Sequence, residues 1–191
     1  MIKATAMAKR LRWLPISYRE KEHIILANIL PAAFYGVETS RVNKNVLKAL
    51  RAAIANAIGP RSARASNDIV YYNTSCSADL DPETYILTER VLGLRRPLAK
   101  KSNKQDKVNN IMHHYNSQGH LLQDHDNSSG PIGLLISSLD QVGAKLSNDL
   151  KVSKDSEADI DIWHMPWQHL EHRRLQLNSR YKMSMLSTSP Y

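Results

Sequence analysis

A proline sits inside an otherwise helical pattern, and that placement constrains the fold more than any other feature. Ser17-Tyr18-Arg19-Glu20 has the spacing of a capping box, in which the serine accepts from the backbone and the glutamate reaches back. After it, Leu26, Leu30, Ala33, Phe34 and Val37 fall at i, i+4, i+7, i+8 and i+11, one face of a helix. Pro31 interrupts this stretch. It removes a backbone donor and crowds the preceding turn, so a kink is expected there. Gly36 loosens the same helix near its end.

The same reasoning places a second helix at about residues 43–58. Leu47, Leu50, Ile54, Ala57 and Ile58 share its apolar face, and Gly59-Pro60 supplies the stop. Lys44, Lys48 and Arg51 form a stripe centred roughly 100° from that face. Further helices are expected at 82–92, with Asp81 as N-cap and Pro82 in first position, at 103–116, at 131–146 and at 166–185. The fold class is therefore mainly α, with about six helices. Strand signals are thin, confined to residues 68–73 and 160–163. The basic run Arg90, Arg95, Arg96, Lys100, Lys101, Lys104 and Lys107 reads as a surface linker, residues 118–130 as a polar loop, and 147–161 as an acidic connection.

Charge is unevenly distributed. Residues 1–64 hold 12 of the 26 Lys and Arg but only 3 of the 18 acids, a local charge of +9 that leaves −1 for the rest. Lys9, Arg10, Arg12, Lys44, Lys48, Arg51, Arg61 and Arg64 are the candidate contacts to a polyanion, because each neutralised phosphate releases condensed counterions. The alternative for such a block is a solvated, solubilising surface. No apolar run approaches the roughly 20 residues that span a bilayer, and residues 1–5 lack the apolar block of a secretory signal. One cysteine, Cys76, allows no internal disulfide. The expected setting is intracellular, nuclear or cytoplasmic, without membrane attachment.

Candidate chemistry is sparse. His113, His114, His120 and His125 cluster, but without the paired spacing of a zinc site. Asp155, Glu157, Asp159 and Asp161 alternate, yet lack the central Gly and terminal Glu of a calcium loop and the rigid elements of a two-metal centre. There is no Gly-x-Ser-x-Gly elbow and no phosphate-cradling Gly-x-x-x-x-Gly-Lys loop. Trp163, Trp167, His169, Arg173 and Arg174 mix aromatic and basic character, which suits either base stacking or a helical core face. No catalytic residue and no metal ligand is assigned.

Ile29-Leu30-Pro31-Ala32-Ala33-Phe34-Tyr35-Gly36-Val37-Glu38 resembles the Leu/Ile-x-Pro-x-x-x-Tyr-Gly-x-Glu segment that follows the palm in reverse transcriptases of non-LTR (LINE-type) retrotransposons. Lys9-Arg10-Leu11-Arg12-Trp13-Leu14-Pro15 is similar to the end of the preceding helix in that family. Val46-Leu47-Lys48-Ala49-Leu50-Arg51-Ala52-Ala53-Ile54 is similar to its following helix. Met165-Pro166-Trp167-Gln168-His169-Leu170 resembles a Pro-Trp segment of the post-thumb region. The match covers about residues 9–64, with Leu30, Pro31, Tyr35, Gly36 and Glu38 carrying the motif. Many members have a Trp two residues after the Glu, where this chain has Ser40.

The resemblance implies a thumb-like helical region at 1–92, a basic and polar linker with one helix at 93–130, and a helical connection region at 131–191. It implies a part that grips a template–primer duplex, RNA–DNA or DNA, through its backbone. The catalytic palm and fingers, with the paired aspartates that hold Mg in the parent enzyme, would lie before Met1. By this reading the chain needs no cofactor and is no enzyme by itself. Two other readings of the same residues are a stand-alone helical interaction protein with an acidic partner, and a functionless relic of a decayed retroelement.

Overall fold

The computed structural model describes residues 1–59, 66–73, 77–100, 103–117, 130–147, 149–153 and 160–161. The described chain is mainly helical. In order come α1 (Ile2–Leu11), α2 (Tyr18–Ile24), a π-helical stretch (Ile25–Ile29), α3 (Leu30–Phe34), α4 (Lys44–Ile58), α5 (Asn67–Asn73), α6 (Ser77–Leu80), α7 (Pro82–Lys100), α8 (Asn103–Ser117) and α9 (Gly130–Gln141). Three short strands follow, β1 (Lys145–Leu146), β2 (Lys151–Ser153) and β3 (Ile160–Asp161). The expected helix at 166–185 and residues 118–129 of the expected polar loop 118–130 lie outside the described residues, and Gly130 opens α9.

Two compact units are present. The first takes in Met1–Val37 and Arg41–Ile86, the second Glu38–Ser40 and the described residues from Leu87 onward. In the first unit the capping box opens α2 as expected. Ser17 Oγ accepts from Glu20 N–H, and Ser17 N–H donates to Glu20 Oε2 at 2.7 Å. The chain then runs helically to Phe34, but not with one spacing. Leu30 N–H bonds to the carbonyl of Ile25, five residues back. A regular α-turn would press the ring of Pro31 against the carbonyl of Ala27. The wider π-turn immediately upstream is where the helix accommodates it. The expected kink thus takes the form of a local change of helical pitch.

That change moves the buried face. Ile25 and Ile29 are fully buried together with Leu30, Phe34 and Val37, while Leu26 and Ala33 are only partly covered. Ala4, Ala8 and Leu11 on α1, at i, i+4 and i+7, face this core, and α1 packs along α4. Buried alanines on both helices, Ala4 and Ala8 on α1 and Ala53 and Ala57 on α4, are small enough for the two axes to approach closely. Val70, Tyr71, Leu80 and Ile86 complete the cluster, and Phe34 meets Tyr85 with ring centroids 5.8 Å apart.

Gly36 ends the helix instead of loosening it. Tyr35 adopts φ −55° and ψ 122°, Gly36 adopts φ +73°, and Val37 N–H donates to the Phe34 carbonyl at 3.0 Å. This is a type II turn, whose third residue must reach positive φ. Phe34 and Val37 are buried on either side of it, and Tyr35 points outward, 96% exposed.

Residues 68–73 are helical, not the expected strand. Val70 N–H bonds to the Ser66 carbonyl, and the neighbouring residues Val70 and Tyr71 are both buried. A strand would turn adjacent side chains to opposite faces, whereas this short helix delivers both to the core.

The second unit has its own core of Leu87, Leu92, Leu94, Met112, Leu135 and Leu139 with residues of the sheet. The basic run expected as a linker begins inside α7, which continues to Lys100. Arg90 belongs to this interior. Its guanidinium donates to the Leu134 carbonyl at 3.1 Å, to Ser138 Oγ and to the Ser40 carbonyl at 3.3 Å, and burial holds its pKa below that of an ordinary arginine. A Schellman motif stops α9 before 146: Ala144 N–H reaches the Leu139 carbonyl and Gly143 N–H the Asp140 carbonyl. The freed residues form β1, which pairs antiparallel with β2 (Leu146 opposite Val152), and β2 pairs antiparallel with β3 (Val152 opposite Ile160). Residues 160–161 of the expected strand are thus found, within a sheet whose other two strands the sequence reading lacks. Between β1 and β2, Leu150 takes φ 58° while its side chain is buried. Burial of a leucine, about 2 kcal/mol, offsets the roughly 1 kcal/mol of backbone strain.

Two glycine substitutions follow from these geometries. A Cβ at Gly93 would stand 2.7 Å from Glu38 Cβ. Gly93→Ala should therefore destabilise by about 1 kcal/mol in denaturant unfolding, although alanine is usually the better helix former by about that amount. Gly36→Ala has open space around it but must hold positive φ, and should cost about 1 kcal/mol. An increase in stability in either variant would contradict the turn or the contact.

Candidate nucleic-acid interface

The expected basic residues divide by the elements that carry them. On α1, burial of Ala4, Ala8 and Leu11 turns Lys3, Lys9 and Arg10 to solvent. Lys9 and Arg10 fall in the last turn, where cations are favoured by the helix dipole. Arg12 follows in the turn after the helix, half-buried, with its guanidinium carbon 5.3 Å from the centroid of the Trp13 ring. On α4, Asn43 Oδ1 accepts from the backbone N–H groups of Asn45 and Val46 and fixes the helix start. Lys44 and Lys48 lie one turn apart on the exposed side. Neither α1 nor α4 contains an acidic residue.

Arg51 was expected in the same stripe, and here the structure corrects the sequence reading. Its side chain is 17% exposed and is held by two carboxylates. Nε and Nη2 donate to the two oxygens of Asp81 at 3.1 and 3.0 Å, and Nη2 donates to Asp68 Oδ1 at 2.6 Å. The Tyr71 ring lies beside the guanidinium, 5.3 Å from centroid to carbon, and Tyr71 Oη donates to the Arg51 carbonyl at 2.8 Å. Burial works against the charged guanidinium. The hydrogen bond and charge of Asp81, with Glu83 and Asp68, more than offset it and hold the arginine pKa above its ordinary value. Burial, reinforced by Asp81, also pushes the Tyr71 hydroxyl well above the usual tyrosine range, with Arg51 opposing.

Asp81 has a second task. Its Oδ1 accepts from Glu83 N–H at 3.1 Å and caps α7, as the sequence predicts for this Asp-Pro start. The acids that neutralise Arg51 stand 17 and 30 residues away in the chain, beyond the reach of helical spacing.

Of the motif residues, Leu30 is fully buried, Pro31 and Tyr35 are exposed and Gly36 forms the turn. Glu38 belongs to the second unit, against Gly93. Arg61, Arg64, His120, His125, Asp155, Glu157, Asp159 and the 163–174 segment lie outside the described residues. His113 and His114 are exposed on α8. Among the described residues no group of His, Cys, Asp or Glu is arranged to hold a metal ion, and no helix is long and apolar enough to cross a membrane. The sequence reading passed over Trp13 as a site residue. It is 74% exposed, beside an exposed Leu14, and its signal was present in the Arg-Trp-Leu order following Lys9 and Arg10.

Comparison of the chain with protein-family models, with curated proteins and with solved structures returned no match.

The ion-pair cluster makes two predictions. Asp81→Asn can still cap α7 but strips the buried guanidinium of its main counter-charge, and should lower the unfolding free energy by about 3 kcal/mol; urea titration measures this. The raised Tyr71 pKa stabilises the fold fully below the unfolded value of 10.0, and that contribution drains away as pH rises beyond it toward the folded value. Tyr71→Phe should cost about 1 kcal/mol near neutrality and show a smaller loss of urea midpoint between about pH 8 and about pH 11 than the wild type.

Proposed function

We propose that the chain binds a nucleic-acid duplex, RNA–DNA or DNA, through the backbone phosphates, as the thumb-like part of a LINE-type reverse transcriptase whose chemistry resides in a palm that these residues do not include. One observation carries the binding half of this reading. Two helices packed on each other, α1 and α4, contain no acid, and their cations other than Arg51 are exposed. Such a surface attracts any closely spaced row of negative charge. The parentage rests on the resemblance of residues 9–64, and the type II turn gives the glycine of that motif a physical reason, positive φ at Gly36. Arg51 takes no part, because its charge is spent within the fold.

Fluorescence anisotropy with a labelled RNA–DNA hybrid tests the reading. Binding should weaken steeply as salt rises. Replacing Lys44 and Lys48 together by glutamine should lower the slope of log affinity against log salt by about 1 per contact removed. Absence of binding at low salt, combined with capture of an acidic protein, would replace this reading with that of a helical interaction protein.

A further inference from the structure

Trp13 is the large aromatic side chain that the first unit leaves in water next to its densest run of cations. The ring is not loosely attached. Trp13 N–H donates to the Arg10 carbonyl at 3.0 Å and Leu14 N–H to the Leu11 carbonyl at 3.3 Å, so the backbone continues the last turn of α1. Lys21 Nζ donates to the Arg12 carbonyl at 3.3 Å and ties this turn to α2. Arg12 lies over the indole at 5.3 Å. Cation–π attraction of this kind fixes a ring's orientation while leaving its other face available.

Charge decides what suits that open face. Lys9 and Arg10 are exposed in the last turn of α1 and Arg19 in the first turn of α2, Lys21 is half-buried, and the exposed acid Glu20 is hydrogen-bonded to Ser17. We infer that Trp13, backed by Arg12, is a stacking platform for an unpaired base, with Lys9 and Arg10 taking the phosphates that flank it. The ligand class is a single-stranded nucleic-acid segment, such as the overhang that adjoins a duplex. This deepens the proposed function and rests on that reading. A lipid surface fits less well. The apolar stripe of α1, formed by Ala4, Ala8 and Leu11, is already buried. On its outward side, the exposed apolar residues Ile2 and Met7 alternate with Lys3, Lys9 and Arg10 instead of forming the single apolar face that interfacial helices use.

The test compares a blunt RNA–DNA hybrid with the same hybrid carrying a short unpaired extension that contains 2-aminopurine, using the full chain. The wild type should bind the extended probe more tightly and alter the 2-aminopurine emission. Trp13→Ala should lose about tenfold on the extended probe with little change on the blunt one, and Trp13→Phe should keep most of the gain. Because the ring is mostly exposed, circular dichroism should show both variants folded. Equal affinity of wild type and Trp13→Ala for the extended probe, while the Lys44/Lys48 double variant still weakens duplex binding, would overturn the stacking site and leave the duplex reading standing. Failure of the wild type to bind either probe would overturn both. Sedimentation of the wild type, but not Trp13→Ala, with phosphatidylserine vesicles, with no gain from the extension, would overturn the base platform in favour of a membrane contact.

Discussion

The first unit is organised around one guanidinium. Arg51 lies mid-way along α4, turned toward α5 and the start of α7, and Asp68 and Asp81 converge on it while Tyr71 covers its face. A buried cation is costly unless paired and hydrogen-bonded, and this one is both. The consequence is positional. Because Asp81 also caps α7, the first turn of that helix, the seat of α5 and the middle of α4 are tied to the same few atoms. Ion pairs of this kind add little net stability over an apolar cluster of the same shape, but removal of either partner is expensive. The cluster therefore acts more as a specification of arrangement than as a source of binding energy for the core.

The same cluster divides the basic stripe of α4 into two uses. Lys44 and Lys48 remain in water near the helix start, and Arg51, one turn on, is internal. Identical spacing along a helix thus leads to opposite fates, decided by what the rest of the chain brings alongside. A charge total of +9 over residues 1–64 overstates what that surface presents to a partner.

Local signals in this sequence agree with the fold. The Ser17 capping box, the α4 boundaries and the Asp81-Pro82 start of α7 each depend on residues within a few positions of one another, and all three stand where spacing puts them. The errors come from elsewhere. Val70 and Tyr71 have strand-like side chains, but tertiary packing overrides that preference. Strands β1 and β2 have only two and three residues, too short to display a period of two. Gly143 is a C-terminal glycine signal, but Ala144 and Leu146 continue the apolar pattern past it. Arg90 looked like surface because it is charged, and its acceptors lie at Ser40, Leu134 and Ser138. For the candidate interface, residue type and helical phase located Lys9, Arg10, Lys44 and Lys48. Pairing at a distance, which phase does not encode, withdrew Arg51.

The π-helical stretch at Ile25–Ile29 has a consequence for how this helix tolerates change. A five-residue turn holds one residue more than α-spacing requires, so it sets the angular phase between α2 and everything after it. Excision of a single residue there would remove the wide turn that accommodates Pro31 and rotate α3 by roughly 100° relative to α2. Phe34 and Leu30 would leave the core together and Tyr35 would swing from its outward position. Lengthening the connection between Ser40 and Asn43 rephases no helix, provided that Glu38 and the Ser40 carbonyl keep their places against Gly93 and Arg90. Drift in chain length is therefore expected to collect after the Tyr35–Gly36 turn and to be purged before it.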